Sequence, residues 1–411
     1  MTPFTDELLA FGDRTTGADV INEALNAVRV HLGMEVAYLS EFVDGRSVFR
    51  RVDAPGLEHM IKPGDSHSLD DVYCHHILEG RLPELIPDTS ALPLAHAMPI
   101  TAAVPIGSHV SIPIRLADGT PFGMFCCLSP RPIPSLNERD LATMRVFAGL
   151  AARQVNAGLE QRRDVRQVEA AVSAVIARRA YAIVFQPIFD LRTMRLSGCE
   201  ALTRFSGEPY RSPDKWFGEA AAVGLGVELE IAVIESAMAA ASDLPGDISI
   251  SVNASPEAVV SGRLASVLKP RYADRTVIEL TEHATVPDYG ILHAHLTPLR
   301  AAGVRIALDD AGAGYSGLQR IIQLSPDIIK LDMSLTRAVD SDPARRALSS
   351  AMVFYARETG SRIVAEGIET EAELATLKLL GATFGQGYLL GKPGPMDALV
   401  ASWSAPVRLA S

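Results

Sequence analysis

Gly198-Cys199-Glu200-Ala201-Leu202-Thr203-Arg204-Phe205 is a short apolar run carrying one carboxylate and one guanidinium. Side chains of an extended segment alternate between faces, so Glu200 and Arg204 share a side. The same grammar, an apolar run closing on a polar residue, recurs downstream. It reads Ile248-Ser249-Ile250-Ser251-Val252-Asn253, Val277-Ile278-Glu279, Ile306-Ala307-Leu308-Asp309-Asp310, Ile328-Ile329-Lys330 and Ile363-Val364-Ala365-Glu366. Each run has the length and composition of a buried strand. The repetition describes a site assembled from many strand ends.

From Ala182 onward these runs alternate with helical stretches such as 227–235. Eight candidate strands centre on Ile183-Val184-Phe185, Cys199-Glu200-Ala201, Ile248–Val252, Val277-Ile278, Ile306–Leu308, Ile328-Ile329, Ile363-Val364 and Gly387-Tyr388-Leu389. Such alternation predicts an α/β fold, a parallel sheet with crossover helices, and eight strands over about 230 residues predict a (β/α)8 TIM-like barrel. Catalytic groups in such barrels stand at the C-terminal strand ends, where the polar residues fall.

With 411 residues the chain is long enough for two domains. Its 48% hydrophobic and 21% charged residues suit a globular protein with a sizeable core. A formal net charge of -11 argues against a duplex nucleic-acid partner. It leaves a phosphate ester open as substrate when metal ions stand between carboxylates and phosphate. No run of about 18 apolar residues appears, so no membrane span is expected. Met1-Thr2-Pro3-Phe4-Thr5-Asp6-Glu7 lacks the basic start and apolar core of a secretory signal, and four cysteines make no disulfide framework. A cytoplasmic protein is the expectation.

Between Pro134 and Pro187 the sequence reads as a helical connector. Ser135-Leu136-Asn137-Glu138 has the spacing of a capping box. Val165, Val168, Val172 and Val175 form one apolar stripe, suited to packing on the helix's own domain or to a short coiled-coil seam between protomers. Before the connector, Val110–Leu116 and Phe122–Leu128 flank Ala117-Asp118-Gly119-Thr120, a hairpin signal. Cys74, His75, His76, Cys126 and Cys127 offer metal-ligand chemistry, but there is no Cys-x-x-Cys pair, and neighbours in a strand point to opposite faces. Buried core cysteines are the expectation there, with a redox-sensing thiol as the alternative.

Tyr73–Gly80, Ile86-Pro87-Asp88-Thr89 and the hairpin closing on Cys126-Cys127-Leu128-Ser129 together resemble the GAF sensory domain. The resemblance implies an α+β domain with an antiparallel sheet and either a ligand pocket or a dimer face, its ligand undetermined. The boundaries drawn are a GAF-like domain over 1–160, including the connector's start near 135, a helical linker over 161–178, and a barrel over 179–411.

The barrel half resembles the EAL domain family of cyclic di-GMP phosphodiesterases from about Val172 onward. The stretches that carry the resemblance stand in order: Phe185-Gln186-Pro187-Ile188, Glu200-Ala201-Leu202, Val252-Asn253-Ala254-Ser255, Glu279-Leu280-Thr281-Glu282, 309–316, Lys330-Leu331-Asp332, Ala365-Glu366-Gly367-Ile368-Glu369 and Gly385-Gln386-Gly387-Tyr388. The resemblance implies opening of cyclic di-GMP to linear 5'-pGpG, in bacterial second-messenger signalling, by a homodimer. It also implies that Glu200, Asn253, Glu279 and Asp309 hold one metal and that Asp309, Asp310 and Glu366 hold a second. All are oxygen donors, and hard ligands suit Mg²⁺ or Mn²⁺. Lys330 is expected beside the attacking water, and Arg204 on a substrate phosphate. Gln186, Gln386, Asp332 and Glu369 are expected on the substrate side. Glu282 resembles the family glutamate that anchors the loop after Asp309-Asp310.

Three positions depart from the family pattern: Ala311 where Phe is common, Ala313 where Thr is common, and Phe205 where Trp is usual. None removes a metal ligand, but the first two alter the loop that governs rate and coupling. Each lone residue also has an ordinary structural use: a strand-end Asp or Glu caps the following helix, and a Lys is a solvated charge. Two rivals to the enzyme remain: a receptor that binds cyclic di-GMP and signals by shape, and a metal-dependent barrel hydrolase of another phosphoester. No Gly-Gly-Asp-Glu-Phe-like stretch supports a cyclase.

Overall fold

Strand alternation and connection length dictate most of what the computed structural model shows over residues 17–207, 210–241, 244–268, 270–281, 288–311 and 317–403. The chain divides into two units, meeting in sequence at Val165 and Arg166.

In the first unit six strands form an antiparallel sheet: β1 (Val36–Val43), β2 (Arg46–Asp53), β3 (Ser66–Ser68), β4 (Leu85–Ile86), β5 (Ser108–Arg115) and β6 (Pro121–Ser129). Their order is β3-β2-β1-β6-β5-β4. The expected hairpin joins β5 to β6: Gly119 takes φ +86°, and the Thr120 N–H donates to Asp118 Oδ1 at 2.9 Å. Alternation along β6 sends Phe125 and Cys127 into one apolar layer and Met124, Cys126 and Leu128 into the other. Helix α1 (Gly17–Leu32) packs on the first layer. The short helices α2 (Tyr73–Leu78), α3 (Pro93–Ala97) and α4 (Pro99–Ala103) cover the second. Cys74, His75 and His76 lie on α2, whereas Cys126 and Cys127 are neighbours on β6.

The connector is one helix, α5 (Glu138–Arg178), of 41 residues. Its cap sits two residues beyond the expected Ser135. Asn137 Oδ1 accepts from Arg139 N at 2.9 Å, while Asp140 Oδ2 accepts from Asn137 N at 3.0 Å. That is a capping box in Asn/Asp form, and it wins because it satisfies two free amides where the chain turns helical. Leu141, Met144, Ala148, Ala151 and Val155 belong to the first unit's core. Val172 and Val175 are buried with Phe205, Trp216, Ala220 and Leu229 in the second. Val165 stays exposed.

The second unit is a closed barrel of β7 (Tyr181–Asp190), β8 (Arg195–Phe205), β9 (Ser249–Asn253), β10 (Thr276–Thr281), β11 (Arg305–Ala311), β12 (Ile328–Leu331), β13 (Arg362–Ala365) and β14 (Phe384–Gly385). Seven strands run parallel. The expectation of a wholly parallel sheet fails at β7, which is antiparallel to both β8 and β14. Only Leu191–Met194 separates β7 from β8, and Asp190 Oδ1 fastens that turn by accepting from Arg192 N and Thr193 N. A turn so short makes a hairpin and cannot make a crossover.

The last strand also lies earlier than expected, at Phe384–Gly385 in place of 387–389. A Cβ at Gly387 would stand 2.2 Å from Ile368 N, so the chain there is pressed against the segment following β13 and leaves the sheet. Phe205, the departure from Trp, is absorbed in an aromatic cluster, stacked on Trp216 at 5.4 Å between ring centroids.

Candidate active site

One rule of alternation builds the site. The barrel interior holds a buried apolar layer of Ile188, Val277, Ala307, Ile328, Val364 and Phe384. Two residues further along each forward strand, on the same face, stand Glu279, Asp309, Lys330, Glu366 and Gln386. On the reversed strand β7 the step is counted backwards, and Gln186 precedes Ile188 by two. The intervening residues Ile278, Leu308, Ile329 and Ala365 face outward into the main core. A polar layer therefore caps an apolar one, and the strand-end grammar of the sequence becomes a ring of side chains at one mouth of the barrel.

Lys330 is its centre and is 1% exposed. Its Nζ lies 2.7 Å from Glu279 Oε2, 2.9 Å from Asp309 Oδ1, 2.9 Å from Glu366 Oε1 and 3.5 Å from Glu200 Oε2. The Asp309 contact is an ion pair, and among the described residues no donor meets its Oδ1 at hydrogen-bonding angles. Glu200 is further held by Asn253 Nδ2, which donates to its Oε1 at 3.1 Å, and by Gln386 Nε2, which donates to its Oε2 at 2.7 Å. Gln386 Nε2 also donates to Gln186 Oε1 at 3.0 Å, and Gln186 Nε2 donates to the Gly391 carbonyl at 3.3 Å.

Adjacent aspartates on a regular strand would point to opposite faces. Here the β11–β12 register shifts between Leu308 and Ala311, and Asp310 takes φ +54°. This bulge re-aims its carboxylate, a conformation that Asp tolerates better than most residues. Oxygens of Asp309, Asp310 and Glu366 consequently lie within 4.8 Å of one another. These hard oxygen donors, two of them also in contact with the Lys330 ammonium, fit a Mg²⁺- or Mn²⁺-class cation. The other expected set, Glu200, Asn253, Glu279 and Asp309, is joined through Lys330 and through the Asn253–Glu200 hydrogen bond.

The charges respond to this crowding. Burial works to raise the Glu200 carboxyl, but Lys330 and its amide donors outweigh it and hold the group below its ordinary range. Burial pushes Glu279 well up despite Lys330, helped by the charges of Glu200 and Asp309. Burial likewise raises Glu366 to about 8, with Lys330 opposing and Asp309 and Glu200 reinforcing. Burial would lower Lys330, yet the carboxylates around it raise it well above the ordinary lysine range, so it is an ammonium.

The remaining expected residues lie further out. Arg204 is exposed, its Nη1 donating to the Thr203 carbonyl at 2.9 Å. The Asp332 carboxylate caps the short helix Met333–Thr336, accepting from Ser334 N, and the exposed Glu369 pairs with Arg337. Glu282 and Ala313 fall outside the described residues, whereas Ala311 is buried at the end of β11. Thr336, whose hydroxyl donates to the Glu366 carbonyl, was not legible beforehand, nor was the Gly391 carbonyl. Thr336 ends the short helix after β12 and Gly391 lies in the stretch after β14, and neither carries a local signal.

In the first unit, Cys126 and Cys127 face different cores. Cys126 Sγ meets Ser111 Oγ at 3.0 Å, beside a small cavity lined by Tyr38, Tyr73 and His109. His75 pairs with Asp70 and Glu79.

The family model described as the EAL domain matches residues 168–393, and that described as the GAF domain matches residues 15–155. A Pseudomonas aeruginosa protein named as a cyclic di-GMP phosphodiesterase is 32% identical over 231 residues, 54% of this chain and 39% of that protein. The chain spans about a third of the length of the curated relatives it matches. An EAL domain protein from Listeria monocytogenes superposes with a TM-score of 0.52 at 27% identity, over 56% of this chain and 95% of that one. The PaMucR phosphodiesterase in complex with c-di-GMP gives a TM-score of 0.51 at 28% identity, over 57% and 99%. No helix among the described residues is long and apolar enough to cross a membrane.

Proposed function

The chain belongs to the EAL domain family, and from that premise we propose that it is a phosphodiesterase that hydrolyses cyclic di-GMP to linear 5'-pGpG, under the influence of its GAF domain. One observation carries the reading: four carboxylates from separate parts of the barrel rim surround a buried ammonium, and Asp309, Asp310 and Glu366 bring oxygens within 4.8 Å of one another. Glu200, Asn253, Glu279 and Asp309 would hold one Mg²⁺ or Mn²⁺, and Asp309, Asp310 and Glu366 the other. Such a pair supplies a hydroxide nucleophile at neutral pH and neutralises phosphate charge.

The protein's own groups do the rest. Lys330, held as an ammonium, orients the attacking water and can hand a proton towards the departing oxygen. Arg204, exposed at the rim, grips a phosphate with its forked donors. Gln186 and Gln386 fix Glu200 and border the substrate, while Asp332 and Glu369 stand on the substrate side of the rim. The barrel's apolar layer closes the site from below and keeps bulk water away from the carboxylates. Ala311, at the end of β11, and the sequence positions Glu282 and Ala313 are those through which a homodimer would tune the rate.

The test is incubation of the purified protein with cyclic di-GMP and Mg²⁺ or Mn²⁺, with pGpG followed by chromatography. Turnover that disappears in Glu200→Ala is expected. Tight binding without turnover in either metal would replace the enzyme by a receptor, and full activity of Glu200→Ala would refute the metal assignment.

A further inference from the structure

Lys330 shares its acceptors with the cations the site would hold. Its Nζ meets Glu200, Glu279 and Asp309, three of the four donors of the first proposed set, and Asp309 and Glu366, two of the three donors of the second. An ammonium and a divalent ion bound to the same oxygens repel one another at close range, and each weakens the other's hold on the shared lone pairs. Lys330 is also anchored in the middle of β12, between Ile329 and Leu331, both fully buried, so its stem has little room to retreat.

We propose that Lys330 is a built-in competitor of the metal ions: it holds the rim carboxylates together against their mutual repulsion and thereby lowers the site's affinity for divalent cations. The role is separate from its handling of the attacking water, though it rests on the metal-site reading above. Two effects of removing the charge follow. Without added metal, the buried carboxylates lose their counter-charge and the barrel is destabilised. With metal, the cation meets no internal rival and binds more tightly. One unit charge within 4 Å of the ion corresponds to about tenfold in affinity or more.

The experiment is calorimetric titration of Mn²⁺ into the full chain, stripped with a chelator and free of nucleotide, for the wild type, Lys330→Met and Lys330→Arg. Thermal midpoints are recorded with and without Mn²⁺. Lys330→Met is expected to bind Mn²⁺ about tenfold more tightly or more, and to gain more in midpoint from Mn²⁺ than the wild type does. Lys330→Arg, which keeps the charge, is expected to bind no more tightly than the wild type. Equal or weaker binding by Lys330→Met overturns the proposal, as does tightening in Lys330→Arg as large as in Lys330→Met. If Lys330→Met fails to fold without metal, Lys330→Gln, uncharged but polar, decides the same comparison by the same criterion. A wild type that takes up no Mn²⁺ refutes the metal-site reading itself. Unchanged affinity across variants of a Mn²⁺-binding protein refutes only the competition.

Discussion

Replacing Gln386 by Leu separates a residue that positions Glu200 from one that touches substrate. Gln386 is buried, and its single Nε2 donates to Glu200 Oε2 at 2.7 Å and to Gln186 Oε1 at 3.0 Å. Leucine fills similar space and removes both donors. Among the described residues, Glu200 Oε2 would then keep only Lys330, at the longer distance of 3.5 Å. A hydrogen bond to a charged group contributes about 1.5–3 kcal/mol. Taking about 2 kcal/mol for the Glu200 bond, its loss corresponds to roughly 30-fold when the carboxylate's placement is what metal binding and chemistry require. Mn²⁺ affinity and kcat for cyclic di-GMP are therefore expected to fall between about 10- and 100-fold, with KM unchanged within about twofold. The assays are a Mn²⁺ titration and steady-state pGpG formation on the same preparation. A KM raised about tenfold with kcat and Mn²⁺ affinity intact would refute the reasoning, because Gln386 would then act on substrate directly.

Other outcomes follow from the same geometry. With Glu366 raised to about 8, the folded chelated protein binds a proton that the unfolded chain, with an ordinary carboxyl, releases earlier. That contribution to stability is present at low pH and is lost as pH rises through about 8. Mn²⁺ uptake strengthens over the same interval and releases a proton at neutral pH, measurable by titration in buffers of different ionisation enthalpy; affinity independent of pH across that window would contradict it. Asp310→Asn keeps the side-chain shape suited to φ +54°, so the fold should be retained, while Mn²⁺ binding by the Asp309–Asp310–Glu366 set weakens. A collapse of stability would instead assign Asp310 to the fold. Gly123→Ala would place a Cβ 1.8 Å from the Ser40 carbonyl oxygen across the β1–β6 pair. A cost of about 3 kcal/mol or more to the first unit is expected, read by thermal unfolding; a neutral effect would mean the two strands part easily.

Much of the barrel was legible because a buried parallel strand is written as a continuous apolar run, and the residue closing it stands at the rim. Glu279, Asp309, Lys330 and Glu366 needed no more than that alternation. The β5–β6 hairpin was equally local, fixed by Asp118-Gly119 and its positive φ. Where the sequence misled, one deciding contact came from elsewhere: the early end of β14 follows from Gly387 lying against Ile368. The reversed β7 follows from the four-residue turn that joins it to β8, and the cap of α5 from competition between two plausible boxes.

The chemistry of the donor set belongs to the sequence: which carboxylates, which amides and which lysine stand at strand ends is settled by periodicity and residue type. Their mutual distances are not. Only the closed barrel brings Lys330 to Glu200, Glu279, Asp309 and Glu366 at once, since these oxygens come from strands separated by long stretches of chain. Only the β11 bulge turns Asp310 towards Asp309, because adjacent residues of a regular strand diverge. Local propensity sets what a residue can offer; a site needs several such offers within a few ångströms, and that proximity is a property of the folded barrel.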